Sequence, residues 1–296
     1  MPINRNNMDV VICVAKKDCL IVRKTIKYIR SCFCVEHIYL LIAKEYFIFF
    51  PSSFRKRYGV ILVDEEDLVT DKQHLKDIAD AHFMCDYRFG WYYQQFLKME
   101  FARSSYAKKY YLIWDSDTIP LNPIRFFDID NQKMLFTSKT ECHSAYFETM
   151  QLLIGLNKEV DSSFIAEHMV VDVEIMQRLI SQIELSSCQG DSCYEKIIYT
   201  ARVDEPNAFS EFETYGTFCH HYYPERFLFR ELRTFRYGGS KYSRFVSGKQ
   251  LGKLAKSYDT ASFESWDSPS KSWRKFQNRC ESFLLKSIIA LSRIYK

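Results

Sequence analysis

No apolar run in the 296-residue chain reaches the roughly 18 residues that a membrane-spanning helix needs. The opening stretch MPINRNNMDVVICVAKKD carries too short an apolar segment for export or insertion, so a cytoplasmic protein is expected. The ten cysteines form no paired CxxC framework: Cys32 and Cys34 stand in CFC, and Cys188 with Cys193 fits neither a zinc ribbon nor a redox motif. Reduced, partly buried thiols are the expectation. Charge of one sign is scarce too, since a formal net charge of +4 makes no case for nucleic acid. There is no internal repeat and no low-complexity segment. What the chain does have is a 47% apolar composition with 24 Phe and 20 Tyr, enough to bury one large core or two small ones.

Short β-branched runs mark the strands. DVVICVA (Asp9 to Ala15) reads as a buried parallel strand, followed by a helical pattern through Ile21, Thr25, Tyr28 and Ile29. HIYLLIA and YGVILVDEED supply a second and a third strand. FGWYYQQFLKMEFA puts Phe89, Tyr92, Tyr93, Phe96 and Met99 at helical spacing, and YYLIW then forms a fourth strand closed by Pro120 and Pro123. This alternation predicts an open, mostly parallel α/β sheet flanked by helices. In such sheets ligands gather at the carboxyl ends of strands. Lys16, Lys17 and Asp18 stand after the first strand, Asp64 after the third, and Asp115 and Asp117 after the fourth. Downstream, KMLFTS and Met169 to Val171 read as strands, the latter turning into a helix, and a turn is expected at Pro206.

Asp115 and Asp117 in KKYYLIWDSDTIPLNPI are the central feature. A bare DxD arises by chance about once in a chain of this composition, and FFDIDNQ holds a second pair, Asp128 and Asp130, that reads as a solvated turn. The first pair differs by its setting: a buried strand, two carboxylates at its end, then a proline exit. Mg²⁺ and Mn²⁺ take oxygen ligands and commonly bind through one or two carboxylates plus substrate phosphates. A strand-end pair suits that task.

The segment LKM…KKYYLIWDSDTIPLNPIRFF resembles the core signature of GT-A glycosyltransferases, in which a Lys-bearing helix precedes a strand ending in DxD and a hydrophobic-Pro exit. It is similar to bacterial glycosyltransferase-like proteins of polysaccharide synthesis, whose GWYxQQFLK helix is close to Gly90 through Lys98, and more distantly to glycogenin-like enzymes. The likeness covers about residues 9 to 220 and implies a GT-A, Rossmann-like fold. It also implies a UDP- or GDP-linked sugar donor, a saccharide or lipid-linked acceptor, and a role in bacterial surface polysaccharide synthesis. By this resemblance Asp115 and Asp117, with Ser116 between them, would hold Mn²⁺ or Mg²⁺ on the donor diphosphate. Lys98 would approach the nucleotide, and Ala15, Lys17 and Asp64 the base and ribose. Gly90, Trp91 and His168 would lie near donor or acceptor sugar, and His220 or His221 would complete the metal shell.

Ser210 and Glu213 fit the capping box S-x-x-E at a helix start. The resemblance places an acidic residue here in the acceptor cleft, where an inverting enzyme needs a carboxylate to take the hydroxyl proton. With Glu213 engaged by the cap, Glu211 is the freer candidate. Glu225 to Lys256 holds nine Lys or Arg against two Glu, and Arg226, Arg230 and Arg233 share a face if ERFLFRELRTFR is helical. The tail CESFLLKSIIALSRIYK is amphipathic with basic flanks. The expected division is a nucleotide-sugar and acceptor domain over 1–245 and a basic helical extension over 246–296, the latter a candidate for contact with the inner face of the cell membrane. Two rival readings use the same residues. One is a haloacid-dehalogenase-type phosphatase with Asp115 as nucleophile, and the other is a nucleotide-sugar-binding protein without activity.

Overall fold

The computed structural model describes residues 8–85, 88–130, 132–205 and 207–294. The chain is mixed α/β, with a mostly parallel central sheet flanked by helices. Its strands are β1 (Met8–Cys13), β2 (Val35–Ile42), β3 (Val60–Asp64), β4 (Tyr110–Trp114), β5 (Thr118–Pro120), β6 (Met134–Thr137), β7 (His168–Asp172), β8 (Phe227–Arg230), β9 (Thr234–Phe235) and β10 (Thr260–Ser262). The central sheet has the order β3-β2-β1-β4-β7. β1, β2 and β3 are parallel, with Val11 opposite Tyr39 and Ile42 opposite Asp64. Their carboxyl ends therefore share one edge. The β-branched and apolar residues that suggested these strands are buried in them, Val10, Val11, Ile12, Leu40 and Leu41 among them.

The chain folds into two compact units, whose boundary runs through β4. The first comprises Met1–Asp64, Trp114–Arg125 and Leu232–Lys296, and the second Glu65–Ile113 and Phe126–Glu231. In the first, helix Ile21–Cys32 buries Ile21, Val22, Thr25, Ile26 and Ile29. A small second sheet has the order β5-β10-β9, antiparallel between β5 and β10 and parallel between β10 and β9. This structure draws the division elsewhere than the expected boundary at residue 246. Val246, Leu251, Leu254, Ala261 and Phe263 share one apolar core with Ile21, Ile119 and Leu121. A segment noticed for its charge is held by its apolar residues.

The second unit carries helices Lys72–Phe83, Phe89–Glu100, Ser144–Ile154, Val173–Leu185, Cys193–Thr200 and Glu211–Tyr222, with β6 parallel to β8. The Asp172 side chain caps the helix that follows β7, accepting from the Glu174 and Ile175 N–H groups. ERFLFRELRTFR is not a helix: a short 3₁₀ turn, Pro224–Arg226, leads into β8, where Phe227 stacks on Phe136 with ring centres 4.7 Å apart. The aromatic packing wins over the helical spacing of the arginines, and these no longer share a face. Arg226 pairs with Asp172 at 2.7 Å, and Arg230 contacts His168 at 3.0 Å. In the first unit Arg233 pairs with Asp259 at 3.0 Å. The turn expected at Pro206 lies outside the described residues. All ten cysteines carry free thiols, and no helix among the described residues is long and apolar enough to cross a membrane.

Candidate functional site

β4 ends at Trp114, whose indole N–H donates to the Thr118 carbonyl at 2.7 Å and so folds the chain back within four residues. Asp115, Ser116 and Asp117 form the resulting turn. It is fixed by its backbone. The Thr25 hydroxyl donates to the Ser116 carbonyl at 2.8 Å, and the Phe263 N–H donates to the Asp117 carbonyl at 2.9 Å. The Thr118 and Ser262 hydroxyls meet at 2.8 Å where β5 pairs with β10. The other DxD is different, since the Asp128 carboxylate accepts from the Gln132 and Lys133 N–H groups and closes a solvated turn, as its sequence suggested.

Around Asp117 the first unit collects carboxylates, with Arg244 among them and Arg236 paired with Glu264 at 2.9 Å. After β1, a 3₁₀ turn (Lys16–Asp18) opens at Ala15, and its Asp18 is buried. Burial pushes the Asp117 carboxyl up to about 7, with Asp18, Asp115 and Glu264 acting in the same direction and Arg244 against them. Arg244 is 6% exposed and donates to Asp18 at 2.6 Å and to the Lys17 carbonyl at 3.1 Å, with Glu281 3.4 Å from its Nε. Glu281 is itself pushed up by burial. Lys17 is exposed and reaches Ser265 at 3.0 Å, and Asp64 closes β3 half-buried. The strand-end residues of the sequence reading thus stand at the expected ends. Asp18, Arg244, Glu264 and Glu281 were missed as site residues. Asp18 was visible by position, but Arg244 was submerged in a basic stretch and only the fold shows it buried.

Hard divalent cations take all-oxygen sets of carboxylates, and Asp115 and Asp117 are the two carboxylates of this turn that could contribute to one. Three ligand atoms within 4.8 Å of one another occur, among the described residues, at Asp9, Glu36 and His37. There the Asp9 carboxylate accepts the His37 backbone N–H at 3.0 Å, at the amino ends of β1 and β2.

The remaining expected site residues belong to the second unit, and several are already committed. Lys98, expected at the nucleotide, donates to the Glu211 carboxylate at 2.9 Å, both groups being buried, and lies over the Phe212 ring. The Glu211 N–H donates to the Gln95 side chain at 2.9 Å. In this structure the two are paired with each other, a buried ammonium and carboxylate that offset each other's charge. Ser210 does cap the helix by accepting the Glu213 N–H at 3.2 Å, but this uses the backbone and not the carboxylate. One Glu213 carboxylate oxygen, Oε2, accepts from the Ser163 hydroxyl at 2.8 Å and the Phe164 N–H at 3.1 Å. The other, Oε1, is buried without a hydrogen bond, with the Lys158 ammonium 3.8 Å away. Burial pushes the Glu213 carboxyl up. Both carboxylates are engaged, Glu211 by Lys98 and Glu213 by Ser163, Phe164 and Lys158. The helix presses so close to Phe164 that a Cβ on Gly216 would lie 2.1 Å from its ring, which requires glycine there.

His168 is buried, and its Nε2 faces the Thr137 hydroxyl at 3.2 Å and Arg230 at 3.0 Å. Burial, then Arg230 and Lys139, hold its pKa well below the usual histidine range, so it is a neutral acceptor. Trp91 lies parallel to Tyr146 with ring centres 6.4 Å apart, and Gly90 is exposed at the start of its helix. His221 pairs with Glu159 at 2.6 Å, and His220 lies 3.9 Å from the same carboxylate. Both histidines belong to the second unit, whereas Asp115 and Asp117 belong to the first.

These features define the class: an open α/β protein with carboxylates and cations gathered at the carboxyl ends of its strands, where such folds take their ligands. Within that class the chain belongs to DUF6492, described as a family of unknown function, whose model matches residues 21–228. It is similar in structure to the bifunctional glycosyltransferase WbbM in its apo form, at 13% identity and a TM-score of 0.48, over 90% of this chain and 48% of that one. The chain spans about half the length of WbbM. It is also similar to the galactosyltransferase LgtC with donor and acceptor sugar analogues, at 11% identity and a TM-score of 0.42, over 95% and 96% of the two chains. Apo GlyE of Streptococcus pneumoniae TIGR4 matches at 14% identity and a TM-score of 0.42, over 97% of this chain and 64% of that one. A search of curated proteins finds no match.

Proposed function

We propose that the protein is a glycosyltransferase that takes a sugar from a nucleotide-sugar donor, with Asp115 and Asp117 holding Mn²⁺ or Mg²⁺ on the donor diphosphate. The observation that carries this reading is the DxD turn, fixed by its backbone to Thr25 and Phe263, with the Asp117 carboxyl set against Asp18, Asp115 and Glu264. Such a surplus of carboxylate favours a cation from outside the chain. A bound divalent ion supplies positive charge for the leaving nucleoside diphosphate. The chain's own part is to hold that ion through two carboxylates and to present Lys16 and Lys17, both exposed at the end of β1, to an anionic donor. Arg244 stays bound to Asp18 and keeps the turn's neighbour in place.

For the acceptor, a proton-accepting role for Glu211 or Glu213 rests on the sequence resemblance. The saccharide or lipid-linked acceptor and a part in bacterial surface polysaccharide synthesis rest on the sequence resemblance alone.

The test is thermal stabilisation by Mn²⁺ with a panel of UDP-, GDP- and CMP-linked sugars, for the wild type and Asp117→Ala. Stabilisation by one donor that requires the metal and disappears in the variant is expected. A phosphoaspartate trapped at Asp115 with a generic phosphate ester would establish the phosphatase instead. Donor binding without turnover against any acceptor would leave a binding protein.

A further inference from the structure

Helix Lys271–Ile294 shows three distinct sectors when its residues are arranged at roughly 3.6 per turn. Gln277, Glu281 and Leu285, at i, i+4 and i+8, are buried, and Glu281 meets Arg244 within the first unit. The next sector carries Trp273, Phe276, Phe283 and Leu284, exposed by 42%, 56%, 71% and 43%. Beyond it stand Lys271, Lys275, Arg279 and Lys286, all exposed. The inward sector fixes the helix, so the aromatic sector is held outward. Arg274 donates to the Trp266 carbonyl at 2.7 Å, which ties the exposed Trp266 loop to the first turn of the same helix.

Two features distinguish this surface from an ordinary solvated helix. An ordinary exposed helix mixes both signs and gains from i,i+4 pairs. Here the sequence from Lys271 to Ile294 holds six Lys or Arg and a single acid, Glu281, which is turned inward. The apolar sector is also rich in Trp and Phe, the side chains that settle at the boundary between headgroups and acyl chains. Basic side chains beside such a sector attract anionic lipid while the rings insert.

We infer that this helix docks the protein on the surface of an anionic bilayer, lying in the interface with Trp273, Phe276 and Phe283 inserted and Lys275, Arg279 and Lys286 at the headgroups. The inference stands on the helix alone and does not depend on sugar transfer. Co-sedimentation of the full chain with vesicles of phosphatidylcholine, with and without phosphatidylglycerol, tests it. The wild type should sediment with the anionic vesicles and stay in solution with the neutral ones. Phe276→Ser with Phe283→Ser should abolish binding, and Lys275→Glu with Arg279→Glu should weaken it by about tenfold or more. Because all four side chains are exposed, the variants should keep the wild-type circular dichroism and melting temperature. The tryptophan emission of the wild type should shift to the blue on vesicle addition, and this shift should shrink in Trp273→Phe. Failure to bind anionic vesicles, or equal binding by the charge-reversed variant, would overturn the inference. So would a concentration-dependent dimer broken by the two Phe replacements in a protein that ignores vesicles, since the face would then belong to a second copy.

Discussion

In the second unit the buried carboxylates have cations beside them: Lys98 for Glu211, Lys158 near Glu213, Lys139 at Glu167 and Arg226 at Asp172. In the first unit one guanidinium, Arg244, serves both Asp18 and Glu281, Arg236 pairs with Glu264 at 2.9 Å, and Asp117 faces Asp18, Asp115 and Glu264 with Arg244 as its opposing charge. On the proposed function, the difference separates structural charge from charge that takes a ligand. A buried pair that closes on itself holds elements together and offers little to a substrate. A group of carboxylates left in surplus is costly until a cation arrives, and that cost is returned as affinity. Sequence alone treats Glu211 and Asp117 alike, as acids near strand or helix ends. Their neighbours differ: a cation lies beside Glu211, and carboxylates lie around Asp117.

The largest effect should come from breaking a closed pair. Lys98→Met leaves the Glu211 carboxylate buried at 5% exposure with its cation gone. Removing one partner of such a pair costs about 3–5 kcal/mol, whereas replacing both by apolar groups recovers most of it. Urea unfolding of Lys98→Met, and of Lys98→Met with Glu211→Leu, should show a large drop and then a return. A double variant no more stable than the single one would mean that Glu211 does not depend on Lys98, and the contrast between the units would fail on its second half.

The opposite sign is expected in the first unit. Asp117→Asn keeps the shape of the turn and removes a charge that burial and three carboxylates disfavour. Without divalent ions at pH 8 the variant should be more stable than the wild type, by about 1–2 kcal/mol. With Mn²⁺ the order should reverse, because only the wild type gains from the ion. A variant that is less stable than the wild type without metal would show that Asp117 supports the turn, and would remove the reason for assigning it a cation.

Much of this contrast could not be read along the chain. β1 to β4 and the place of Asp115 and Asp117 were legible, because β-branched runs and a proline exit are local signals. The second site residue set was not. Lys98 and Glu211 are 113 residues apart, and Arg244 reaches Asp18 across 226; no local pattern encodes such pairs. The capping box misled for a related reason. Ser210 and Glu213 do stand at a helix start, but the motif cannot say whether the cap uses the glutamate backbone or its carboxylate. For β8, alternating Phe227 and Phe229 competed with arginines at helical spacing, and only the pairing with β6 decides between the two periods.

The smallest effect concerns pH, and there too the units should part. His168 is buried and held neutral, its pKa depressed by burial, Arg230 and Lys139. In the unfolded chain it takes a proton near the usual value of about 6.5, so below that pH the unfolded state binds more protons than the folded one. Stability then rises with pH through this window and is lost as pH falls through it. Asp117 acts the other way in the metal-free protein. Its folded pKa of about 7 exceeds the unfolded value of 3.8, so the folded state binds more protons between them and stability falls as pH rises through that range. Melting temperatures of the metal-free protein between pH 5 and pH 7 therefore sum two opposed slopes. His168→Gln should flatten the rise with pH, and Asp117→Asn should steepen it. The comparison uses slopes, so an overall loss of stability in either variant does not disturb it. Two variants that change the slope in the same direction would show that the two groups do not differ as their surroundings indicate.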